Sequence, residues 1–289
     1  QKGAIDFSLW KNHLDWAENL VGPGGYIKLF FPYIGKADGP VETYKQVLQE
    51  SYSRNLNPII RVQGGWVIST RNLPDLKGCW ERPPQNQGTP YSMTQGQYSE
   101  YAQKVVDFID SLPAPSSGRY LFVELWNEMN YGQIEWCDPS GVGNLEPENY
   151  ARFYLEVYNR LENLGKPHII LTNGGIGRAG NIDYLKRMLV QMMVTLGNNP
   201  SALANIFKYY STHIYPPTDT DEIFMQNIKS YEKELNVFKD LGVNVDSIRV
   251  LVTEGGYIRR GISSQEDERQ ARLSIEMAKG LIEDSRILA

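Results

Sequence analysis

The 289-residue sequence predicts an α/β fold, a (β/α)8 TIM barrel in which the first and eighth strands are absent or only stubs. Three observations carry this. Short segments rich in β-branched and aromatic residues alternate with longer segments of helical period, the pattern of βαβ units and a parallel sheet. The candidate strand ends fall at Pro32, Gln63, Glu128, Asn173, His213 and Glu254, mostly one βα unit apart. An open doubly wound sheet would bring a glycine-rich phosphate loop after its first strand. None is present, and Gly22-Pro23-Gly24-Gly25 precedes a strand instead.

The elements follow in order. Residues 8–20 read as a helix, with Leu9, Trp10, His13, Leu14, Ala17 and Leu20 on one stripe and Gly22 beyond its end. Trp10 and Trp16 are then core residues and His13 is structural. A strand over 26–31 leads to a helix over 41–54 and a strand over 58–62. The Gly- and Pro-containing stretch 63–92 reads as a loop inserted after the third barrel strand. A helix over 95–111 leads to the strand 120–126. The second half repeats the scheme: helix 148–164 ended by Gly165, strand 168–172, helix 182–196, strand 207–211, helix 226–241 closed by Gly242, strand 248–252 and a last helix over 265–283.

That is two strands short of the eight a closed barrel needs. Residues 1–5 and 286–289 are left as the stubs. Open barrel edges expose unpaired backbone groups, so the natural protein is expected to extend beyond both termini. With no internal repeat and no low-complexity linker, residues 1–289 read as one domain.

Composition excludes several classes. The chain is 41% hydrophobic and 22% charged, ordinary for a globular protein. A net charge of −5 gives no basic excess, which argues against a nucleic-acid partner. No apolar run approaches the roughly 18 residues a membrane span requires. No leader-like apolar core stands at the start, though the missing Met leaves room for a removed signal, so secretion is slightly favoured. Cys79 and Cys137 follow neighbouring barrel strands, and the alternatives are a disulfide bracing the cleft or two unrelated thiols. No CxxC or Cys/His cluster suggests a metal, and no cofactor is expected.

Two carboxylates end predicted strands. One lies in Leu125-Trp126-Asn127-Glu128-Met129-Asn130, the other in Leu251-Val252-Thr253-Glu254-Gly255-Gly256-Tyr257. In a barrel the C-terminal strand ends converge on one mouth, where active sites lie. Glycoside cleavage needs such a pair: a protonated acid for the leaving oxygen, and an ionised carboxylate to attack the anomeric carbon or activate water. The blander reading, two solvated surface charges, ignores that both sit at strand ends three βα units apart.

Trp126-Asn127-Glu128-Met129-Asn130 resembles the Trp-Asn-Glu-Pro-Asn signature on the fourth strand of clan A glycoside hydrolases. Thr253-Glu254 resembles the clan's nucleophile at the end of the seventh strand, and the spacing of elements from about residue 8 to 285 is similar throughout. Met129 departs from the clan's Pro, and the aromatic platform of the eighth strand has no counterpart. The resemblance implies retaining hydrolysis of a β-linked glycan or glycoside without metal or cofactor, with Glu128 as acid/base and Glu254 as nucleophile. It implies that Asn127 bonds the sugar 2-hydroxyl. It also implies that His213 and Tyr215 match a His-x-Tyr pair, in which the Tyr holds the nucleophile and the His contacts the acid or the sugar. Arg61 is a looser match, expected to keep the nucleophile ionised.

Each candidate has a plainer alternative. Asn127 would serve a turn, and His213 would be a satisfied core histidine. Trp126 is a substrate-binding candidate; Trp66, Trp80 and Trp136 would stack on sugar or merely pack their loops. Glu124 lies deeper than Glu128 and reads as a structural ion pair with Arg61. His168 reads as structural and Arg259-Arg260 as a solvated pair. Two other functions compete: a barrel that binds carbohydrate without cleaving it, and a metal-dependent lyase or isomerase, which the lack of an evident ligand set disfavours.

Overall fold

The computed structural model describes residues 7–31, 41–62, 66–67, 79–80, 95–116, 118–130, 146–177, 182–259 and 261–289. The chain divides into two compact units. The first comprises Gln1–Asn127, Tyr131–Leu145 and Arg152–Thr172; the second comprises Glu128–Asn130, Glu146–Ala151 and Asn173–Ala289. Among the described residues, no helix is long and apolar enough to cross a membrane.

The first unit is built on β1 (Tyr26–Phe31), β2 (Asn57–Val62), β5 (Leu121–Leu125) and β6 (Ile169–Asn173), in the sheet order β1-β2-β5-β6. β1 runs parallel to β2, and β2 parallel to β5. The helices are α1 (Phe7–Val21), α2 (Val41–Ser53), α3 (Gln95–Asp110) and most of α4 (Pro147–Asn163). Along β1, Ile27, Leu29 and Phe31 are buried and alternate with half-buried Tyr26, Lys28 and Phe30. All five residues of β5 are buried. Phe31 stacks on Tyr44 of α2 at 4.1 Å and meets Phe108 of α3 edge-on, which locks both helices onto one sheet face. Each such ring contributes on the order of 2 kcal/mol by leaving water.

One expectation for this unit needs correcting. Trp16 is 67% exposed, not core, while Leu14 is the buried residue of α1. Arg54, just past α2, pairs with Asp15 and Glu18. At about 100° per residue, Glu18 shares the face of Leu14, whereas Leu9, Trp16 and Leu20 lie opposite. Arg54 thus meets α1 near the covered Leu14 side, while Trp16 faces away from it. Glu124 is fully buried and ion-paired as expected, with Lys28 Nζ 2.6 Å from its carboxylate. Arg61, its register neighbour, bonds Asn127 and lies 4.1 Å above the Phe30 ring.

The long loop after β2 carries an antiparallel pair, β3 (Trp66–Val67) and β4 (Cys79–Trp80), with Trp66 opposite Trp80. Only their backbones are described. Trp136, Cys137, Arg260 and residues 1–5, on which sugar-stacking, disulfide, charge-pair and first-strand expectations fall, lie outside the described residues.

The second unit holds α5 (Ile182–Thr195), α6 (Pro200–Ile206), β7 (Tyr209–Ile214), α7 (Asp221–Gln226), α8 (Tyr231–Asp240), β8 (Arg249–Gly255) and α9 (Ser264–Ile282). The sequence reading missed α6 and α7. Both have start signals: Asn199 accepts from the amides of Ser201 and Ala202 ahead of Pro200, and Thr220 accepts from the Ile223 amide. β7 and β8 are parallel, and their register slips by one residue. Thr212 faces Val252, but His213 faces Glu254, skipping Thr253. The final residues run along β8, with Val250 N on Arg286 O, Leu288 N on Val250 O and Val252 N on Ala289 O, all at 2.7–2.8 Å. This is the strand stub expected at 286–289.

Asp284 anchors that stub. It accepts from the Arg286 amide at 2.9 Å and from the Tyr231 hydroxyl at 2.7 Å. The Arg286 guanidinium beside it holds its carboxyl well below the usual carboxylate range, with further help from the Arg286 amide and Tyr231. A depressed folded value adds stability above the unfolded value of about 3.9, lost as pH falls. Asp284→Asn is therefore expected to cost about 1 kcal/mol at pH 7, a figure reduced for solvent screening. The difference from the parent should shrink at pH 3, as chemical denaturation at the two pH values would show.

Candidate active site

The backbone after β5 turns sharply. Trp126 has φ 70° and Glu128 φ 34°, both in the left-handed region that non-glycine residues seldom occupy. Strain of this kind persists only where neighbours over-determine it, and it gathers at functional sites. Here each residue is fixed by a backbone bond: Trp126 N donates to Val62 O, and Glu128 N to Gly175 O, both at 2.9 Å. Asn130 reinforces the turn through two reciprocal amide bonds with Gly177, at 2.8 and 2.9 Å.

Within the second unit, four side chains come together: Glu128, His213 and Glu254, with Tyr215 beyond β7. His213 is fully buried, with Nδ1 3.0 Å from Glu128 Oε1 and 3.8 Å from Glu254 Oε2. Tyr215 donates its hydroxyl to Glu254 Oε2 at 3.2 Å. One oxygen of each carboxylate and a ring nitrogen of His213 all lie within 4.8 Å of one another. The carboxylate side chains keep 20% and 26% exposure, enough for a ligand to reach them. The β7–β8 slip is what makes this possible. Bulges of one residue re-aim side chains, and this one turns Glu254 to the side of His213.

Two buried groups behind β7 support it, and sequence reasoning passed over both. Glu234 on α8 accepts from Tyr210 at 3.0 Å and Thr212 at 2.7 Å. Burial, with Glu234 alongside, pushes the Tyr210 hydroxyl well up from its ordinary value. The Asn173 side chain donates to Ser211 O at 2.9 Å and accepts from Ser211 N at 3.1 Å, imitating a neighbouring strand. The glutamate on an amphipathic helix gave no sign of burial, but an Asn ending an apolar strand was a usable signal.

The remaining site candidates fall as follows. Asn127 is 4% exposed and accepts from Arg61 Nη1 at 2.7 Å in the first unit, so Arg61 orients this amide. Trp126 is fully buried. With no exposed surface its ring packs in the interior, which does not support its candidacy as a substrate-binding residue. His168 is half-buried at the start of β6, where burial and the nearby Lys166 charge lower its pKa, in keeping with a structural residue. Glu128, His213 and Glu254 also have a spacing that could hold a metal ion. They lie on separate elements far apart in sequence, so no local motif could reveal it.

The sequence matches no family model and no curated protein. Solved structures do match. A family 39 glycoside hydrolase from the gut symbiont Bacteroides cellulosilyticus WH2 is 19% identical, with TM-score 0.56 over 98% of this chain and 52% of its own. A GH5-4 broad specificity endoglucanase from an uncultured bacterium is 11% identical, with TM-score 0.56 over 98% of this chain and 75% of its own. A fungal β-1,4-galactanase is 12% identical, with TM-score 0.54 over 98% of this chain and 86% of its own. The chain thus spans about half the length of the first of these. Identities this low establish the fold: the chain has the α/β barrel fold of glycoside hydrolases, as the alternation of strands and helices predicted.

Proposed function

We propose that residues 1–289 form a single catalytic barrel domain that hydrolyses β-glycosidic bonds with retention, through a covalent glycosyl-enzyme. One observation carries the reading. The Glu128 and Glu254 carboxylates, each on its own strand end, approach within 4.8 Å around a buried histidine. Retaining enzymes hold their two carboxyl groups about 5–5.5 Å apart, whereas inverting enzymes open the gap to about 6.5–9.5 Å to admit water.

In this proposal Tyr215 holds Glu254 by one oxygen and leaves the other to attack the anomeric carbon. Glu128 gives its proton to the departing glycosidic oxygen. Glu128 then takes a proton from water, which attacks the same carbon and frees Glu254. His213, within hydrogen-bonding distance of Glu128, steadies whichever protonation state the step requires. The resemblance to clan A adds Asn127 at the sugar 2-hydroxyl, an amide that Arg61 holds, while Trp66 is a stacking candidate by its place after β2 alone. The partner is a carbohydrate.

The test is a panel of aryl β-glycosides and β-linked polysaccharides, with proton NMR following the first anomer released. The β-anomer is expected first. An α-anomer would exclude retention, and binding without turnover of any member would favour a non-catalytic carbohydrate-binding barrel. The ligand-like spacing of Glu128, His213 and Glu254 supports one further reading, metal-assisted chemistry. Activity lost in chelator and restored by a divalent cation would favour it.

A further inference from the structure

We infer that Gly175 is a positioning residue for the acid/base, one that sets the Glu128–His213 pair without touching substrate. The inference rests on the acid/base reading of Glu128. Gly175 lies just after β6, in the run Asn173-Gly174-Gly175-Ile176. Its carbonyl accepts the amide of Glu128 at 2.9 Å, and so pins the residue whose φ is 34°. Its α-carbon lies against the His213 ring. A Cβ there would fall 2.1 Å from Cδ2, 2.3 Å from Nε2 and 2.7 Å from Cγ of the imidazole.

Those distances are far inside van der Waals contact, and the obstacle is a fully buried ring with little room to retreat. Gly175 is not among the positive-φ glycines, so a left-handed backbone is not what calls for glycine there. The glycine is there for closeness rather than for conformation. One residue thereby fixes the main chain of one partner and the side chain of the other, and with them the 3.0 Å Nδ1–Oε1 distance. A methyl group would drive the ring off Glu128 and disturb its second contact, 3.8 Å to Glu254.

The test is a cycle of Gly175→Ala, His213→Ala and the double variant. Readouts are kinetics on aryl β-glycosides of good and poor leaving groups, pH profiles, and the His213 titration followed by NMR. Gly175→Ala is expected to lower kcat by about 100-fold on poor leaving groups, with KM little changed, the basic limb of the pH profile displaced and the His213 titration shifted. In the double variant the Cβ has room, so it should be no slower and no less stable than His213→Ala alone. If Gly175→Ala does not fold, recovery of folding in the double variant still supports the contact. Wild-type kinetics and titration in Gly175→Ala, additive effects in the double variant, or its failure to fold would each overturn the inference. Inactivity of the parent protein would instead refute the glycosidase reading, and the NMR titration would still report on Gly175.

Discussion

Glu254→Ala is expected to abolish turnover of every substrate, by about 10⁴-fold or more, and added azide to restore part of it with inverted product. The proposed mechanism has one route to a covalent intermediate, and it passes through this carboxylate. Removing the side chain opens a space beside Tyr215 and His213, where the carboxylate oxygen Oε2 lay 3.2 and 3.8 Å from them. A small anion entering there attacks the anomeric carbon from the nucleophile's side. One displacement then replaces two, and the product is an α-glycosyl azide. NMR of the azide product would decide the matter. Unaltered turnover in the variant, or a β-azide, would remove Glu254 from the nucleophile's role.

Glu128→Ala is expected to behave differently. A poor leaving group needs a proton, so its cleavage should slow by about 10²–10⁴-fold, the usual contribution of a positioned acid. A substrate carrying an acidic phenol hardly needs protonation, and its first step should survive. The glycosyl-enzyme then waits for a base that is no longer there, so azide should intercept it and give a β-glycosyl azide of retained configuration. If the two variants exchanged these patterns, the two roles would be exchanged as well. Full activity of both on all substrates would end the glycosidase reading.

The two carboxylates were legible because side-chain identity, strand-end position and spacing all point the same way. β1 was legible to the residue, since Tyr26–Phe31 has the apolar period of a half-buried strand and turn residues before it. The failures have physical causes. Trp16 lies on the face of α1 opposite Leu14, and Leu14 is the residue that the rest of the unit covers. Which face of an amphipathic element is covered depends on what arrives opposite it, and periodicity carries no record of that. Short helices such as α6 fall below the length at which period is readable, leaving only their caps as signals.

The one-residue slip between β7 and β8 also bears on transplanting this site into a different scaffold. Copying Glu128, His213, Tyr215 and Glu254 onto regular strands would carry over the chemistry of the side chains and lose their meeting, because position 254 would then alternate away from position 213. A graft has to bring the surplus residue of β8 as well, and a library of point substitutions on a regular strand would never discover it. An acceptor strand without that extra unit of length would need it inserted before any choice of catalytic side chain could matter.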